Sequence, residues 1–296
     1  FLDKVVTKVI DLDHGKAVTY RGNYTTYSQK KEALIEAQIR EYENQQQEIK
    51  HQEAVIEKLK SFNREKSIKR AESREKMLDK MELVEKLHEI TGGRFGGFQF
   101  YDSGTTAVEA GLRCARAATG KFEFYSFWRD FHGKTYGANS LAVVGPDTHM
   151  RAPGFMLAPR PNPYRDFFGR TPEEAWKDSS PYIRMIEGIL DNEWASGGKN
   201  VAAIVLEPIQ GWGGSIMPPD DFFPKLRKFL DERGILLFAD EVLTSMGRTG
   251  KILCCEHWGV TPDVVTLGKG FGNGFPVTCM AVRTPYADAV DKISAS

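Results

Sequence analysis

A stretch of about sixty residues without glycine or proline, from Tyr27 to Lys86, constrains the fold of this 296-residue chain most strongly. Glu, Lys, Arg and Gln dominate the stretch, and these residues favour a helix that Gly or Pro would interrupt. Apolar side chains recur every seven positions, at Ile35, Tyr42, Ile49 and Ile56. This spacing predicts a long helix with a narrow apolar seam, typical of a two-helix hairpin or a weak coiled coil.

Residues 61–63 predict the break between the two helices of this hairpin. The second helix carries its apolar side chains at Ile68, Ala71, Leu78 and Met81. Before the hairpin, residues 5–10 predict a strand and residues 13–16 a turn. The sequence thus indicates three segments: a strand and turn over 1–26, a helical hairpin over 27–86 and a larger domain over 87–296.

Short apolar runs alternate with helical segments after Gly92. The predicted strands are residues 98–101, 122–127, 202–206, 235–239, 264–267 and 278–282, and the predicted helices are residues 107–118, 173–191 and 222–233. This alternation predicts an α/β fold, with a mostly parallel sheet and flanking helices. Ligands bind at the carboxyl ends of the strands in such sheets, so the motifs that follow these strands are candidate site residues.

Charge and cysteine content exclude few classes of protein. The 40 basic and 40 acidic residues cancel, so the overall balance indicates neither a nucleic-acid nor a membrane partner. The four cysteines form no CxxC pair, as expected for reduced thiols in a cytoplasmic protein. We find no apolar run of membrane-spanning length and no signal peptide. The chain starts at Phe1, in the middle of a pattern, which predicts a fragment or a processed piece.

Residues 102–106 place small hydroxylated side chains between a predicted strand and a predicted helix. A helix N-terminus has unpaired N–H groups and a partial positive charge, and both suit a phosphate group. Ser103, Gly104 and Thr105 are therefore candidate phosphate ligands. The alternative is a plain helix N-cap, because Ser and Thr are favoured capping residues.

Two further strand ends carry a ring and a pair of carboxylates. Phe131 begins the run Phe-His-Gly, where its ring either stacks on a ligand or belongs to the core. Asp240 and Glu241 end an apolar strand and point to opposite faces, so they serve different purposes. Asp240 either pairs with a cationic ring nitrogen or belongs to a surface loop.

Lys269 follows an apolar run directly and lies among four glycines, at 268, 270, 272 and 274. Its amine can form a Schiff base with an aldehyde if burial and nearby positive charge lower its pKa. The alternative is a solvated lysine in a flexible loop. Together, the motifs supply a phosphate cradle, a stacking ring, a carboxylate and an amine. Pyridoxal phosphate requires these four groups, so the sequence predicts that cofactor.

The same motifs resemble the class III aminotransferases, which are fold-type I enzymes that use pyridoxal phosphate. The resemblance runs from about residue 87 to the end, on residues 103–110, 131–135, 207–211, 240–242, 247–250 and 267–270. It implies that Lys269 is the Schiff-base lysine and proton shuttle, and that Asp240 keeps the pyridine nitrogen protonated. It also implies that Phe131 and Val242 sandwich the ring, and that residues 103–105 hold the phosphate.

The resemblance further implies transamination between an amino donor, either an ω-amine or an amino acid, and a keto-acid acceptor, in a homodimer. Three positions depart from the family pattern. Leu243 replaces a glutamine that often contacts the ring hydroxyl, and Ser245 replaces a glycine. Trp212 replaces the glutamate of ornithine- and 4-aminobutyrate-type members, which argues against those specificities. The family's N-terminal segment and C-terminal small domain are missing, so we expect truncation to impair catalysis.

Residues 1–86 resemble a different family, the ABC-F ATPases, on residues 1–6 and 20–27 and on the helical hairpin. The matching piece is the end of the first nucleotide-binding domain with the interdomain arm, which in that family contacts ribosome-bound tRNA. Residues 58–80 hold nine basic and four acidic residues, so the hairpin tip from Lys58 to Lys80 is a predicted RNA contact. A solvated helical hairpin is the alternative. The sequence has no GxxxxGK[ST] motif, so we expect no ATP hydrolysis.

Two hypotheses for the whole chain follow. The first is a partial pyridoxal-phosphate aminotransferase behind a helical arm. The second is a non-catalytic module that binds RNA or the ribosome through the arm, fused to an inert α/β part. Because the two resemblances meet near residues 86 and 87, where helix passes into helix, we expect a gene fusion, a misassembled reading frame or a bifunctional protein.

Overall fold

The computed structural model describes residues 2–13, 16–61, 65–142, 151–191 and 199–294. The chain divides into two compact units, Phe1–Glu85 and Lys86–Ser296. Within the described ranges, no helix is both long and apolar enough to cross a membrane.

The first unit consists of a β-hairpin followed by long helices. The short helix α1 (Leu2–Val5) precedes β1 (Lys8–Asp13), which pairs antiparallel with β2 (Lys16–Arg21), and α2 (Tyr24–Ser61) and α3 (Glu65–Ile90) follow. The strand predicted over 5–10 begins later, because α1 is tied to α2 by a 2.8 Å hydrogen bond from Thr25 N to Asp3 Oδ1. The helix break falls after Ser61 as predicted, whereas residues 62–64 and residues 14–15 of the predicted turn lie outside the described residues.

The helical hairpin encloses a small apolar cluster. Its buried members are Ile56, Ala71 and Leu78, and partly buried apolar side chains pack against them. Ile35 is 44 % exposed and Ile68 37 % exposed, so the predicted seam is buried only over its central part. The helices differ in length, 38 residues for α2 and 26 for α3, so the N-terminal part of α2 extends beyond its antiparallel partner.

The second unit is built on a seven-stranded sheet with the order β3-β9-β8-β7-β6-β4-β5. The strands are β3 (Phe95–Tyr101), β4 (Glu123–Phe127), β5 (Phe155–Ala158), β6 (Val201–Leu206), β7 (Leu236–Glu241), β8 (Val264–Leu267) and β9 (Thr278–Arg283). Neighbours from β5 to β8 pair parallel, and β9 pairs antiparallel with both β8 and β3. The predicted α/β class with a mostly parallel sheet is confirmed. All six predicted strands form, and the four-residue β5 is a strand that the sequence analysis missed.

Six helices of this unit are described. They are α4 (Gly104–Thr119), α5 (Tyr136–Ser140), α6 (Pro172–Lys177), α7 (Ser180–Leu190), α8 (Phe222–Arg233) and α9 (Asp288–Ser294), with short 3-10 helices at Cys254–Trp258, Lys269–Phe271 and Thr284–Tyr286. The single helix predicted over 173–191 is wrong. The chain becomes extended at Asp178 and α7 restarts with Pro181 in its first turn, because proline cannot donate the hydrogen bond of a helix interior.

Close packing of α4 on the sheet places its first turn beside the end of β7. A Cβ atom on Gly111 would collide with the ring of Phe238, so only glycine permits this approach. The central strands β6 and β7 are buried throughout, and their carboxyl ends carry the polar residues that follow. The core thereby brings the start of α4 and the ends of β4, β6, β7 and β8 to one edge of the sheet.

Candidate active site

A cavity of about 590 Å³ lies at this carboxyl edge. All seven predicted site residues line it: Ser103, Gly104, Thr105, Phe131, Asp240, Val242 and Lys269. These residues come from four separate segments, the start of α4 and the ends of β4, β7 and β8, and the sheet topology brings them together. Trp212, Leu243 and Phe275 are among the apolar side chains that complete the lining.

The N-terminus of α4 forms one wall of the cavity. Ser103 is the helix N-cap, with extended backbone, and its Oγ accepts a 3.2 Å hydrogen bond from Thr106 N. The capping interpretation is therefore correct for this hydroxyl. It does not exclude an anion site, because the N–H groups of the first helical turn have no partner within the helix. Gly104 and Thr105 belong to that turn and line the cavity.

Val242 lies between two glycines that leave room for it. A Cβ atom on Gly104 would lie 3.0 Å from Val242 Cγ1, and one on Gly268 would lie 2.9 Å from the same atom. The distance at Gly268 is shorter than real Cβ contacts and the one at Gly104 is tighter than most, so these glycines let the start of α4 and the approach to Lys269 close on the valine. Val242 is partly buried and contributes an apolar surface to the cavity.

Asp240 is a buried carboxylate with three donors around it. His132 Nδ1 lies 2.8 Å from Asp240 Oδ2, Thr266 Oγ1 donates to Oδ1 at 2.9 Å, and Val242 N donates to Oδ1 at 3.2 Å. Asp240 is 5 % exposed, so its alternative placement in a surface loop is wrong. Hydrogen bonds to both oxygens fix the orientation of the carboxylate.

His132 is the main site residue whose role the sequence analysis missed. Its ring is fully buried, with Nε2 3.6 Å from Asp130 Oδ2 and Nδ1 bonded to Asp240. Burial opposes the charged ring, but the two carboxylates outweigh burial and raise the pKa of His132 to about 10. The only sequence signal was the His-Gly pair after Phe131, which by itself says nothing about a distant aspartate.

Aromatic side chains form another wall. The Phe131 ring stacks on Trp212, with centroids 5.2 Å apart and an interplanar angle of 25°. Glu207 Oε1 accepts a 2.8 Å hydrogen bond from Phe131 N, and Oε2 accepts one of 3.0 Å from Gly211 N. Burial, reinforced by the negative charge of Asp130, raises the pKa of Glu207. This carboxylate therefore fixes the backbone below the aromatic pair.

Lys269 lies at the cavity in a strained backbone conformation. It begins a 3-10 helix two residues after β8, with φ of 43°. A non-glycine residue with this φ is uncommon, and such strain concentrates at functional sites. The predicted Schiff-base role assumes a buried amine, whereas Lys269 is exposed in the structure and lines the cavity. The left-handed conformation belongs to the lysine itself, not to Gly268 before it.

Glu241 points away from the cavity, as the alternation along β7 predicts. It is fully buried and accepts a 3.0 Å hydrogen bond from Cys255 N, as well as one from Cys254 N. Its role is structural, because it anchors the 3-10 helix over Cys254–Trp258 to the strand. The described residues contain no group of three or more His, Cys, Asp or Glu residues able to hold a metal ion.

The fold and site together define a class of protein. A mostly parallel α/β sheet carries, at its carboxyl edge, a helix N-terminus, an aromatic ring, a buried carboxylate and a lysine around one cavity. A family model described as "Aminotransferase class-III" matches residues 74–294. The chain therefore belongs to the class-III aminotransferase family. A second family model, described as "ABC transporter", matches residues 10–94 and overlaps the first on α3.

Curated relatives and solved structures agree with this family. The chain is 37 % identical over 219 residues to a leucine/methionine racemase of Thermococcus litoralis, covering 72 % of this chain and 48 % of that protein. It is 38 % identical over 195 residues to a putrescine aminotransferase of Pectobacterium atrosepticum, covering 65 % of this chain and 38 % of that protein. An amine transaminase from an uncultivated Pseudomonas species, solved with pyridoxal phosphate, has a TM-score of 0.64 at 32 % identity. The match covers 71 % of this chain and 49 % of that protein. The chain thus spans half or less of the length of each of these proteins.

Proposed function

We propose that the second unit binds pyridoxal phosphate and catalyses transamination between an amino donor, either an ω-amine or an amino acid, and a keto acid. The single observation that carries this proposal is the convergence of seven residues, from four segments distant in sequence, on one cavity of about 590 Å³. The family match and the cofactor-bound relative support the same conclusion.

The residues present fit this cofactor. Gly104 and Gly268 let the start of α4 and the approach to Lys269 pack closely on Val242, whose side chain lines the cavity as an apolar surface for a flat ring. The first turn of α4 is suited to a phosphate, and Asp240 is a buried acceptor for a protonated ring nitrogen. Phe131 and Val242 supply the apolar surfaces on either side of a ring.

Pyridoxal phosphate, when bound, supplies an aldehyde that condenses with amines and a ring that accepts electrons. Lys269 Nζ would be the amine that holds the aldehyde, and the same amine would move a proton at the reacting carbon. Asp240, oriented by His132 and Thr266, would accept a hydrogen bond from a protonated ring nitrogen. Ser103, Gly104 and Thr105 would hold the phosphate.

The test is covalent trapping of the cofactor. Purified protein is mixed with pyridoxal phosphate, reduced with borohydride and analysed by peptide mass spectrometry. We expect the pyridoxyl mass on Lys269 and its loss in Lys269→Ala. Lys177→Ala is the matched control, because Lys177 is exposed on α6 and pairs only with Glu173 among the described residues. Uptake of no cofactor at saturating concentration, or labelling that is equal in both variants, would contradict the proposal.

The reaction itself is decided by product analysis. Transamination transfers the amino group, so keto acid beyond one equivalent of enzyme forms from an amino acid only when an acceptor is supplied. One relative is named a racemase, and racemisation would return the opposite enantiomer without an acceptor. Incubation of a single enantiomer with and without a keto acid therefore separates the two reactions. Racemisation without amino transfer would overturn the transamination proposal while leaving cofactor binding in place.

We also propose that the helical hairpin is an arm like that of ABC-F proteins and contacts an RNA phosphate backbone. The match of residues 10–94 to the second family model supports this, as does the excess of positive charge over 58–80. Lys58 and Lys69 are exposed on the two helices near the tip. Replacing both by Gln should weaken RNA binding and reduce its salt dependence, whereas Lys30→Gln and Lys50→Gln, exposed farther from the tip, should not. Equal effects of both pairs would contradict a contact at the tip.

A homodimer is a further proposal. Trp212 is 70 % exposed and Phe275 77 % exposed at the cavity, more than large aromatic side chains usually are in a monomer. Sedimentation of the full chain tests this assembly, and a monomer at micromolar concentration would contradict it. The division into segments 1–26, 27–86 and 87–296, the origin as a fusion or fragment and the cytoplasmic location stay predictions.

A further inference from the structure

Asp130 lies on the opposite side of His132 from Asp240. Its Oδ2 atom is 3.6 Å from His132 Nε2, while His132 Nδ1 is 2.8 Å from Asp240 Oδ2. The three side chains are at most 5 % exposed. The imidazole is therefore held between two buried carboxylates, one facing each ring nitrogen.

Arg160 adds a positive charge on the far side of Asp130. Its Nη1 donates to Asp130 Oδ1 at 3.2 Å, and its Nη2 donates to the Pro208 carbonyl at 2.7 Å. Gln210 Nε2 also donates to Asp130 Oδ1, and Glu207 N donates to Oδ2 at 3.3 Å. These donors follow β5 and β6, so two strand ends hold the Asp130 carboxylate against the imidazole.

The four charges form an alternating row when His132 is doubly protonated: Arg160 positive, Asp130 negative, His132 positive and Asp240 negative. A neutral ring would leave one positive group with two carboxylates and thus a net negative charge in a buried place, where uncompensated charge is costly. A neutral ring also carries only one N–H. One carboxylate would then face a lone pair, so only the imidazolium directs an N–H towards each carboxylate.

We propose that Asp130, held by Arg160, is a positioning residue that keeps His132 doubly protonated and thereby keeps Asp240 ionised for the cofactor ring nitrogen. This inference rests on the proposed function. A charged His132 donates from Nδ1 to Asp240 and stabilises the carboxylate, which remains a pure hydrogen-bond acceptor. Asp130 acts only through His132 and does not line the cavity.

Other groups near the ring do not replace Asp130. Ser126 Oγ lies 3.4 Å from Nε2 and is neutral. The Glu207 carboxylate is engaged by the amides of Phe131 and Gly211. Lys269 is exposed at the cavity, where solvent screens its charge. Asp130 and Asp240 are therefore the charged groups that contact the imidazole within the described part of the chain.

The test is a pH titration of the His132 imidazole by NMR, on the full chain with isotope-labelled histidine and without cofactor. The His132 signal is assigned by its loss in His132→Gln. In wild-type protein the ring should remain protonated well above pH 6.5, the ordinary pKa of histidine. We expect Asp130→Asn to lower the midpoint by about one pH unit or more, a tenfold change in the protonation equilibrium.

Two variants separate charge from packing. Asp130→Glu keeps the charge and should retain the raised midpoint, whereas a purely structural role would make this longer side chain as disruptive as asparagine. Asp263→Asn is the matched control, because Asp263 is 1 % exposed and pairs with Arg227 and Arg283 instead of His132. It should leave the His132 titration unchanged.

The inference is overturned if Asp130→Asn and wild type titrate alike, or if Asp130→Glu shifts as far as Asp130→Asn. A wild-type midpoint near pH 6.5 also overturns it. The wild-type titration tests the inference even if Asp130→Asn does not fold. A second readout is cofactor uptake, which should weaken in Asp130→Asn and recover in Asp130→Glu. Absence of uptake by wild type contradicts the proposed function alone, because the imidazole titration needs no cofactor.

Discussion

His132 Nδ1 lies 2.8 Å from Asp240 Oδ2, and both side chains are buried at the carboxyl edge of the sheet. Asp240 and His132 are 108 positions apart in the chain, and they meet because β4 and β7 flank β6. The contact gives the carboxylate a charged donor in addition to Thr266 Oγ1. The site therefore contains a built-in partner for Asp240, independent of any ligand.

Replacement of His132 should change how stability depends on pH. The pKa of His132 is raised from 6.5 to about 10 on folding, so its stabilising effect is complete below pH 6.5 and is lost as pH rises through about 10. The difference in unfolding temperature between wild type and His132→Gln should therefore shrink across this range. His257→Gln is the control, because His257 is exposed and should leave the pH dependence of wild type unchanged. A constant difference between wild type and His132→Gln would contradict the raised pKa.

Replacement of Ser103 by alanine should have two separable effects. Loss of the N-cap hydrogen bond to Thr106 N should lower the free energy of unfolding by about 1 kcal/mol. Thr171→Ala removes the N-cap of α6 at a similar cost, but lies outside the cavity. Denaturant unfolding should thus affect both variants, whereas titration with pyridoxal phosphate should weaken only for Ser103→Ala. Equal affinity in the two variants would remove Ser103 from the phosphate site.

Two glycine-to-alanine changes in helices should have opposite signs. In Gly111→Ala the new methyl group would meet the ring of Phe238, and overpacking of this kind costs about 1–3 kcal/mol. Gly188 lies inside α7 with nothing near a Cβ position among the described residues, so Gly188→Ala should stabilise by about 0.5–1 kcal/mol through helix propensity. Thermal unfolding of the two variants measures the contrast. Similar unfolding temperatures would show that α4 can move away from the sheet at little cost.

The helical hairpin should depend on its central cluster and not on its whole predicted seam. Ile56 is 7 % exposed, so Ile56→Ala should lower the free energy of unfolding of the hairpin by about 2–5 kcal/mol. Ile35 occupies the same heptad position but is exposed, and Ile35→Ala should change stability by about 0.5 kcal/mol or less. The loss of the helical circular dichroism signal during denaturation measures the free energy of unfolding of both variants. Equal losses would show that the seam is buried along its full length.

The local pattern was sufficient to predict most elements of the second unit. Six strands and the helices α4 and α8 follow from apolar runs and their periodicity, because such patterns reflect burial within a single element. The local pattern did not predict elements whose formation depends on a neighbouring strand or on a single proline. The strand β5 has only four residues and forms by pairing with β4, and the helix predicted over 173–191 is divided at Asp178 by the restart at Pro181.

The sequence by itself determined which chemical groups stand at the strand ends, from Ser103 to Lys269, because residue type and spacing are local properties of the chain. Only the tertiary structure decided that Asp130, His132 and Asp240 form one row and that Arg160 joins it. These contacts connect loops after different strands, and their charges acquire their strength from burial. Neither the strand order of a sheet nor the burial of a polar side chain can be read from the residues next to it.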